Sequence, residues 1–267
     1  MEKPCQPLEV MTSKTWPNLN GNFLCGQVAI ITGGAGGIGL GIARALDSRG
    51  CRVVIASRNR ERVDAAVATL KNAVGFSDCD VRDAARVDAL VNFTLEKFGQ
   101  LDIAITSAGI GRAENANRLT PSPVMSLDEK EWDEVVDTNL RGIFLVCRAA
   151  LQPMVKRRSG QLLNISSARG ALRGQAFGSA YCASKMGVKA MFHSLAAELM
   201  PYGIRAMSLL PDAVDTSLIA GTGLAPRGAM TAETVGEFIA ELLALPMDVM
   251  IEDPLIAPLG ARKRKAA

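Results

Sequence analysis

The 267-residue chain has one histidine, His193, and no C-x-x-C pair among its six cysteines. That scarcity excludes a His-rich metal site and a His-based triad, and no metal centre is expected. His193 itself reads as a helix-surface or interface residue. No apolar run approaches the roughly 18 residues of a membrane span. Met1 to Cys25 lacks an apolar h-region and contains Pro, Asn and Thr, so it is not read as a secretory signal. The net charge of +3 is too small to argue for nucleic acid. The basic run Arg262-Lys263-Arg264-Lys265 reads as a short solvated tail. Aromatic residues make up 4% of the chain, which disfavours a sugar site built on stacking. The cysteines, at 5, 25, 51, 79, 147 and 182, are expected to be buried free thiols in a reducing cytosol, so a cytoplasmic protein is expected.

What is present is an alternation. Short β-rich runs at 27–32, 51–56, 101–105, 161–165 and 204–209 are separated by helical patterns near 37–49, 60–72, 83–98, 128–157 and 178–201. Such alternation predicts βαβ units: one α/β domain with a doubly wound, Rossmann-type parallel sheet covered by helices on both faces. Ser126, three residues before Glu129, suggests a capping box for the helix that follows. The expected organisation is a poorly ordered extension at 1–25, a nucleotide-binding catalytic domain at 26–251 and a tail at 252–267. Loops at 110–126 and 211–230 follow strands at their carboxyl ends, where ligands of open α/β sheets bind, and are expected to border the substrate.

Thr32-Gly33-Gly34-Ala35-Gly36-Gly37-Ile38-Gly39 follows a strand and opens a helix. Glycines there permit a tight turn and close approach of a pyrophosphate to the helix N-terminus. Two registers fit: T-G-x-x-x-G-x-G on Gly33, Gly37 and Gly39, or G-x-G-x-x-G on Gly34, Gly36 and Gly39. At the end of the second strand, where an NAD site offers a carboxylate, stands Ala56-Ser57-Arg58-Asn59-Arg60. Arg58 can pair with a 2′-phosphate, with Ser57 adding a hydroxyl, which favours NADP(H) over an idle exposed arginine. Asp80 reads either as an adenine-edge contact or as a helix-capping residue.

Further along, Tyr181 and Lys185 lie four residues apart on a helical pattern and share one face. The cation is expected to lower the phenol pKa from about 10 toward neutrality. Such a phenol can exchange a proton.

Together, Thr32–Gly39, Asp80, Asn139-Leu140-Arg141-Gly142, Asn164-Ile165-Ser166-Ser167 and Tyr181 with Lys185 resemble the short-chain dehydrogenase/reductase family, in its single-domain branch, over roughly residues 26–251. The resemblance implies that Tyr181 is the general acid and that Lys185 binds the nicotinamide ribose and lowers the Tyr181 pKa. It implies that Ser167, rather than its neighbour Ser166, polarises the carbonyl, and that Asn139 anchors a water chain to Lys185. Without it, Asn139 is a polar interruption of a helix. Ile38, Val81, Ala108, Gly109, Pro211 and Thr216 are implied cofactor contacts beside the glycines, Ser57, Arg58 and Asp80. Two positions depart from the family pattern. Thr106-Ser107-Ala108-Gly109 replaces N-N-A-G, and Asp212 follows Pro211 where the family has Gly. Asp212 then shapes the pocket, repels an acidic substrate or attracts a cationic one, or else points to solvent and means nothing.

The function expected is NADPH-dependent reduction of a carbonyl to an alcohol. The alternatives are a catalytically quiet NADP-binding regulator or scaffold, and a dehydratase or isomerase using the same site. Met125, Leu127, Leu218, Ile219, Leu224 and Met230 suit an apolar ketone or quinone-like ring, whereas Arg112, Arg118 and Arg227 suit an acyl chain on an acidic carrier protein. Apolar residues on several faces of 128–157 and 178–201, with the family's habit, imply a homodimer or homotetramer.

Overall fold

The protein, described here by a computed structural model, is defined over residues 23–112, 123–218 and 228–259. The expectations for residues 1–22, for Arg118, Ile219, Leu224 and Arg227, and for the basic run at 262–265 lie outside these residues.

The strands are β1 (Val28–Thr32), β2 (Arg52–Ala56), β3 (Ala73–Phe76), β4 (Ile103–Thr106), β5 (Gly160–Ile165), β6 (Ile204–Pro211) and β7 (Leu255–Ile256). They pair in parallel in the order β3-β2-β1-β4-β5-β6-β7. The helices are α1 (Gly37–Ser48), α2 (Arg60–Val67), α3 (Ala84–Phe98), α4 (Glu129–Val136), α5 (Gly142–Arg157), α6 (Ser179–Leu199) and α7 (Ala232–Leu243). Every residue of β1, β4, β5 and β6 is buried, as a sheet covered on both faces requires. Side chains alternate between two cores. Ile31 and Ile55 join Leu46, Val235 and Ile239 beneath α1 and α7. Ile30 and Val54 join Leu90, Val146 and Phe192 beneath α3, α5 and α6. Strand order reverses between β1 and β4, so a crevice opens beyond their carboxyl ends. No described helix is long and apolar enough to cross a membrane.

Several elements differ from the sequence expectations. The capping box is not formed. Ser126 ends a 3-10 turn, and Asp128 caps α4 by accepting from the Lys130 amide. The pattern at 128–157 is not one helix, because a π-helical turn over Asp137–Arg141 separates α4 from α5. Leu24 is buried inside the segment read as an extension, and β7 lies inside the segment read as a tail. Cys51, Cys79, Cys147 and Cys182 are free thiols, but Cys25 is disulfide-bonded, which departs from the all-thiol expectation.

The sequence pattern also left α7 unmarked. It crosses α1 at van der Waals limits: a Cβ on Gly41 would stand 2.2 Å from the Ala232 oxygen, and one on Gly236 would stand 2.3 Å from the Gly41 oxygen. Arg49 reaches Glu237 and Glu241 across this contact at 2.8 and 2.6 Å. The end of α7 is held from inside the protein. Arg205 on β6, 2% exposed, donates to the Leu243, Leu245 and Pro246 carbonyls, satisfying groups a helix terminus leaves open. Gly236→Val should therefore force α7 off α1 and destabilise the fold by about 1–3 kcal/mol, an overpacking cost measurable by denaturant unfolding. Wild-type stability in that variant would show that the crossing yields freely.

Candidate active site

One cavity of about 560 Å³ lies over the carboxyl ends of the strands. Its floor begins where the chain leaves β1. Gly33 has φ of +70°, and a Cβ there would stand 2.8 Å from the Ala108 backbone. Gly37 has φ of +50°, and a Cβ on Gly39 would meet the Gly33 oxygen at 2.4 Å. By contrast Gly36 is extended, with nothing within 4 Å of an added Cβ. Gly34 is also tight, since a Cβ there would stand 2.9 Å from the Ile31 oxygen, but all three glycines of the first register are constrained while Gly36 of the second is not, so the first register describes the turn better. Gly33, Gly37 and Ile38 line the cavity, whereas Gly39 supports the turn from below. Helix α1 has no side-chain N-cap and no acidic residue in its first turn, so its leading amides are free for an anion.

Ser57 and Arg58, at the end of β2, line one end of the cavity. Arg62 joins them, a residue the sequence reading did not single out. Asn59 caps α2 by accepting from the Arg62 amide, which places the first turn of that helix beside Arg58. Asp80 and Val81 line the same end. The Asp80 carboxylate is already held by Arg82 Nε at 3.0 Å and Nη2 at 2.6 Å. These bonds hold its carboxyl below the usual range. Asp80 is not the cap of α3, since Asp83 accepts from the Ala85 and Arg86 amides.

At the other end stand Tyr181 and Lys185 on α6, with Ser167 beyond β5. Lys185 is 5% exposed, and its Nζ donates to the Ile165 carbonyl at 2.9 Å while lying 5.8 Å from the centroid of the Tyr181 ring. Ser167 stands near enough to the Tyr181 hydroxyl to lower its pKa, and its Oγ accepts from the Gly170 amide at 3.1 Å. Its neighbour Ser166 instead donates to the Lys185 carbonyl at 3.3 Å and is buried. Asn139 is fully buried in the π-helical turn. Its Oδ1 accepts from the Ile110 amide and its Nδ2 donates to the Ile110 oxygen, both at 2.8 Å, and Nδ2 also reaches Ser184 Oγ at 3.2 Å. Asn139 does not line the cavity, but its Oδ1 and Lys185 Nζ both crowd Gly109, at 3.1 and 3.6 Å from an added Cβ.

The expected lowering of the Tyr181 pKa is not found. Burial raises it, and Ser167 only opposes that rise. Burial also pushes Lys185 down to about 8. Burial thus biases both groups toward their neutral forms. A phenol in this state holds a proton at neutral pH and can donate it.

Ser107, Ala108 and Gly109 line the cavity beside Pro211, Asp212 and Thr216. The Asp212 side chain is 7% exposed and pairs with Arg169 at 3.3 Å and Arg173 at 3.1 Å. It therefore does not point to solvent, and its charge is matched by cations of the protein itself.

A family model described as short chain dehydrogenase matches residues 27–224. The chain is 30% identical over 237 residues to an uncharacterized oxidoreductase of Staphylococcus aureus, covering 88% of this chain and 99% of that one. It is 36% identical over 204 residues to a 3-oxoacyl-(acyl-carrier-protein) reductase of Chlamydia muridarum, covering 75% and 79%. Among solved structures, an actinorhodin polyketide ketoreductase with NADPH superposes with a TM-score of 0.78 at 30% identity, covering 87% of this chain and 96% of that one.

The buried amine has a measurable consequence in the nucleotide-free protein. Lys185 titrates near 8 when folded and near 10.5 when unfolded, so the unfolded chain holds more of this proton between those values. The contribution of Lys185 to folding stability should then rise as pH rises through that window. Denaturation of the wild type and Lys185→Met from pH 8 to 10.5 should show the wild type gaining on the variant. Parallel profiles would mean that the amine is solvated.

Proposed function

The chain belongs to the short chain dehydrogenase family and is an oxidoreductase, and on that premise we propose that it reduces a ketone or quinone-like carbonyl to an alcohol with NADPH, using Tyr181 as general acid. The observation that carries this reading is a protonated phenol, with Ser167 beside it, in the same cavity as an uncapped helix N-terminus and a glycine turn that a Cβ would fill. The turn and the free amides of α1 fit a pyrophosphate. Arg58 and Arg62, with no carboxylate at the end of β2, fit a 2′-phosphate better than a bare ribose. The relative crystallised with NADPH and another crystallised with NADP, at 29% identity and a TM-score of 0.74, support the same choice.

Bound there, NADPH supplies a hydride to the carbonyl carbon. Tyr181 gives its proton to the carbonyl oxygen as charge develops on it. Ser167 donates a hydrogen bond to the same oxygen and so stabilises that charge. Lys185 would hold the nicotinamide ribose through Nζ, and its positive charge would favour the phenolate left on Tyr181. Asn139, fixed by three hydrogen bonds, keeps the Gly109–Ile110 backbone beside that amine and anchors the proton path toward it. Thr216, whose side chain lies against Gly37, would hold the carboxamide.

Trp132, Phe144 and Met186, on α4, α5 and α6, are exposed apolar side chains that a homo-oligomer would cover. Sedimentation at micromolar concentration should show a dimer or tetramer, and a monomer would remove this part of the proposal.

Equilibrium titration should show NADPH binding at least about tenfold tighter than NADH, with Arg58→Ala erasing most of the difference. Tyr181→Phe should retain NADPH binding and lose roughly 100-fold or more of carbonyl reduction. Preference for NADH would overturn the assignment of Arg58, and undiminished turnover in the Phe variant would overturn the assignment of Tyr181.

A further inference from the structure

Asp212 is a buried carboxylate in the cavity wall to which the reaction above gives no part. Its backbone is fixed, because its amide donates to the Ile256 oxygen at 2.8 Å at the end of the sheet. Its Oδ1 accepts from Arg169 Nε at 3.3 Å and its Oδ2 from Arg173 Nη1 at 3.1 Å. Both arginines belong to one π-helical turn, Arg169–Arg173, two residues beyond Ser167. One arginine would neutralise the carboxylate. The second leaves the trio with a net charge of +1, and the two guanidiniums stay 44% and 50% exposed.

The two arginines are not equivalent. Arg169 lines the cavity and Arg173 does not. Arg169 gives Asp212 its Nε, and its Nη groups make no hydrogen bond to any described residue. A guanidinium gripped from the Nε side keeps its outer N–H pair for a second carboxylate, and that grip sets the direction of the pair. The next residue, Gly170, packs so tightly on α6 that an added Cβ would stand 2.9 Å from Tyr181 Cε1 and 3.1 Å from Lys185 Cβ. Arg169 is therefore anchored directly beside the proton donor. Ile110, Val214 and Leu218 supply apolar wall to the same cavity.

Resting on the carbonyl-reduction reading, we infer that the substrate carries a carboxylate that binds the outer N–H pair of Arg169, with Asp212 as the residue that positions this arginine. The apolar wall takes the carbon skeleton between the anion and the carbonyl. An aspartate that alone would repel an acidic substrate thus becomes, through two arginines, part of an acid-selective site.

The test is calorimetric titration of the NADPH-saturated protein with oxo acids of increasing chain length and with their methyl esters. At least one acid should bind about tenfold or more tighter than its ester, as loss of a charge-assisted pair implies. Arg169→Gln should reduce that preference to about twofold or less, and Arg169→Lys, which keeps the charge without the fork, should retain part of it. NADPH affinity, measured on each variant, reports whether the cavity is still formed. Equal binding of every acid and ester, or a preference undiminished in Arg169→Gln, would overturn the inference. NADPH absorbance with the same compounds separates this from the parent reading. Reduction of esters as readily as acids sinks the carboxylate site alone. Tight, Arg169-dependent binding of acids without reduction supports the site and counts against carbonyl reduction.

Discussion

A primary amine taken out of water must find an acceptor or lose its charge. Lys185 finds the Ile165 carbonyl at the end of β5, and that bond ties α6 to the sheet where the cavity opens. The elements around it are built to this contact. A Cβ on Gly109 would press on Asn139 Oδ1 at 3.1 Å, and Asn139 holds the adjoining Ile110 backbone by both its amide and its oxygen. The π-helical turn carries Asn139 into the interior. An extra residue in a helical turn reorients a side chain without ending the helical path, a device that often marks functional sites.

The cavity wall shows a consistent treatment of charge. Its described carboxylates, Asp80 and Asp212, are each held by arginine, whereas Arg58, Arg62, Arg169 and Lys185 also stand in the wall. Acidic residues there are used to orient cations. The resulting field suits an anionic nucleotide and, at the substrate end, a further negative group.

Much of the scaffold was legible in the residues because buried parallel strands read as unbroken apolar runs and their spacing implies crossovers. Elements whose stability comes from a neighbour were not. Helix α7 depends on two glycines meeting across α1 and on the buried Arg205, and β7 is two residues long. Asp128 displaced Ser126 as a cap because both residue types can cap, and only the path of the chain selects between them. Arg62 came to the cavity through a cap that turns α2, and its sequence neighbourhood, rich in arginine, carried no sign of that.

The sequence by itself determined the alternation of strands and helices and five of the seven strands, the glycine turn, the absence of a carboxylate after β2, and the presence of a Tyr and a Lys one helical turn apart. Those follow from local periodicity, backbone freedom and residue chemistry. Tertiary structure decided the rest. It constrained Gly33, Gly37 and Gly39 but not Gly36, tied the Ser166 hydroxyl to the Lys185 carbonyl, and matched Asp212 with two arginines. It also reversed the expected shift of Tyr181, since the proximity of a lysine in sequence does not specify where its amine finds a partner. Charge, burial and hydrogen bonding act through space, and distances between segments far apart in the chain exist only once the chain has folded.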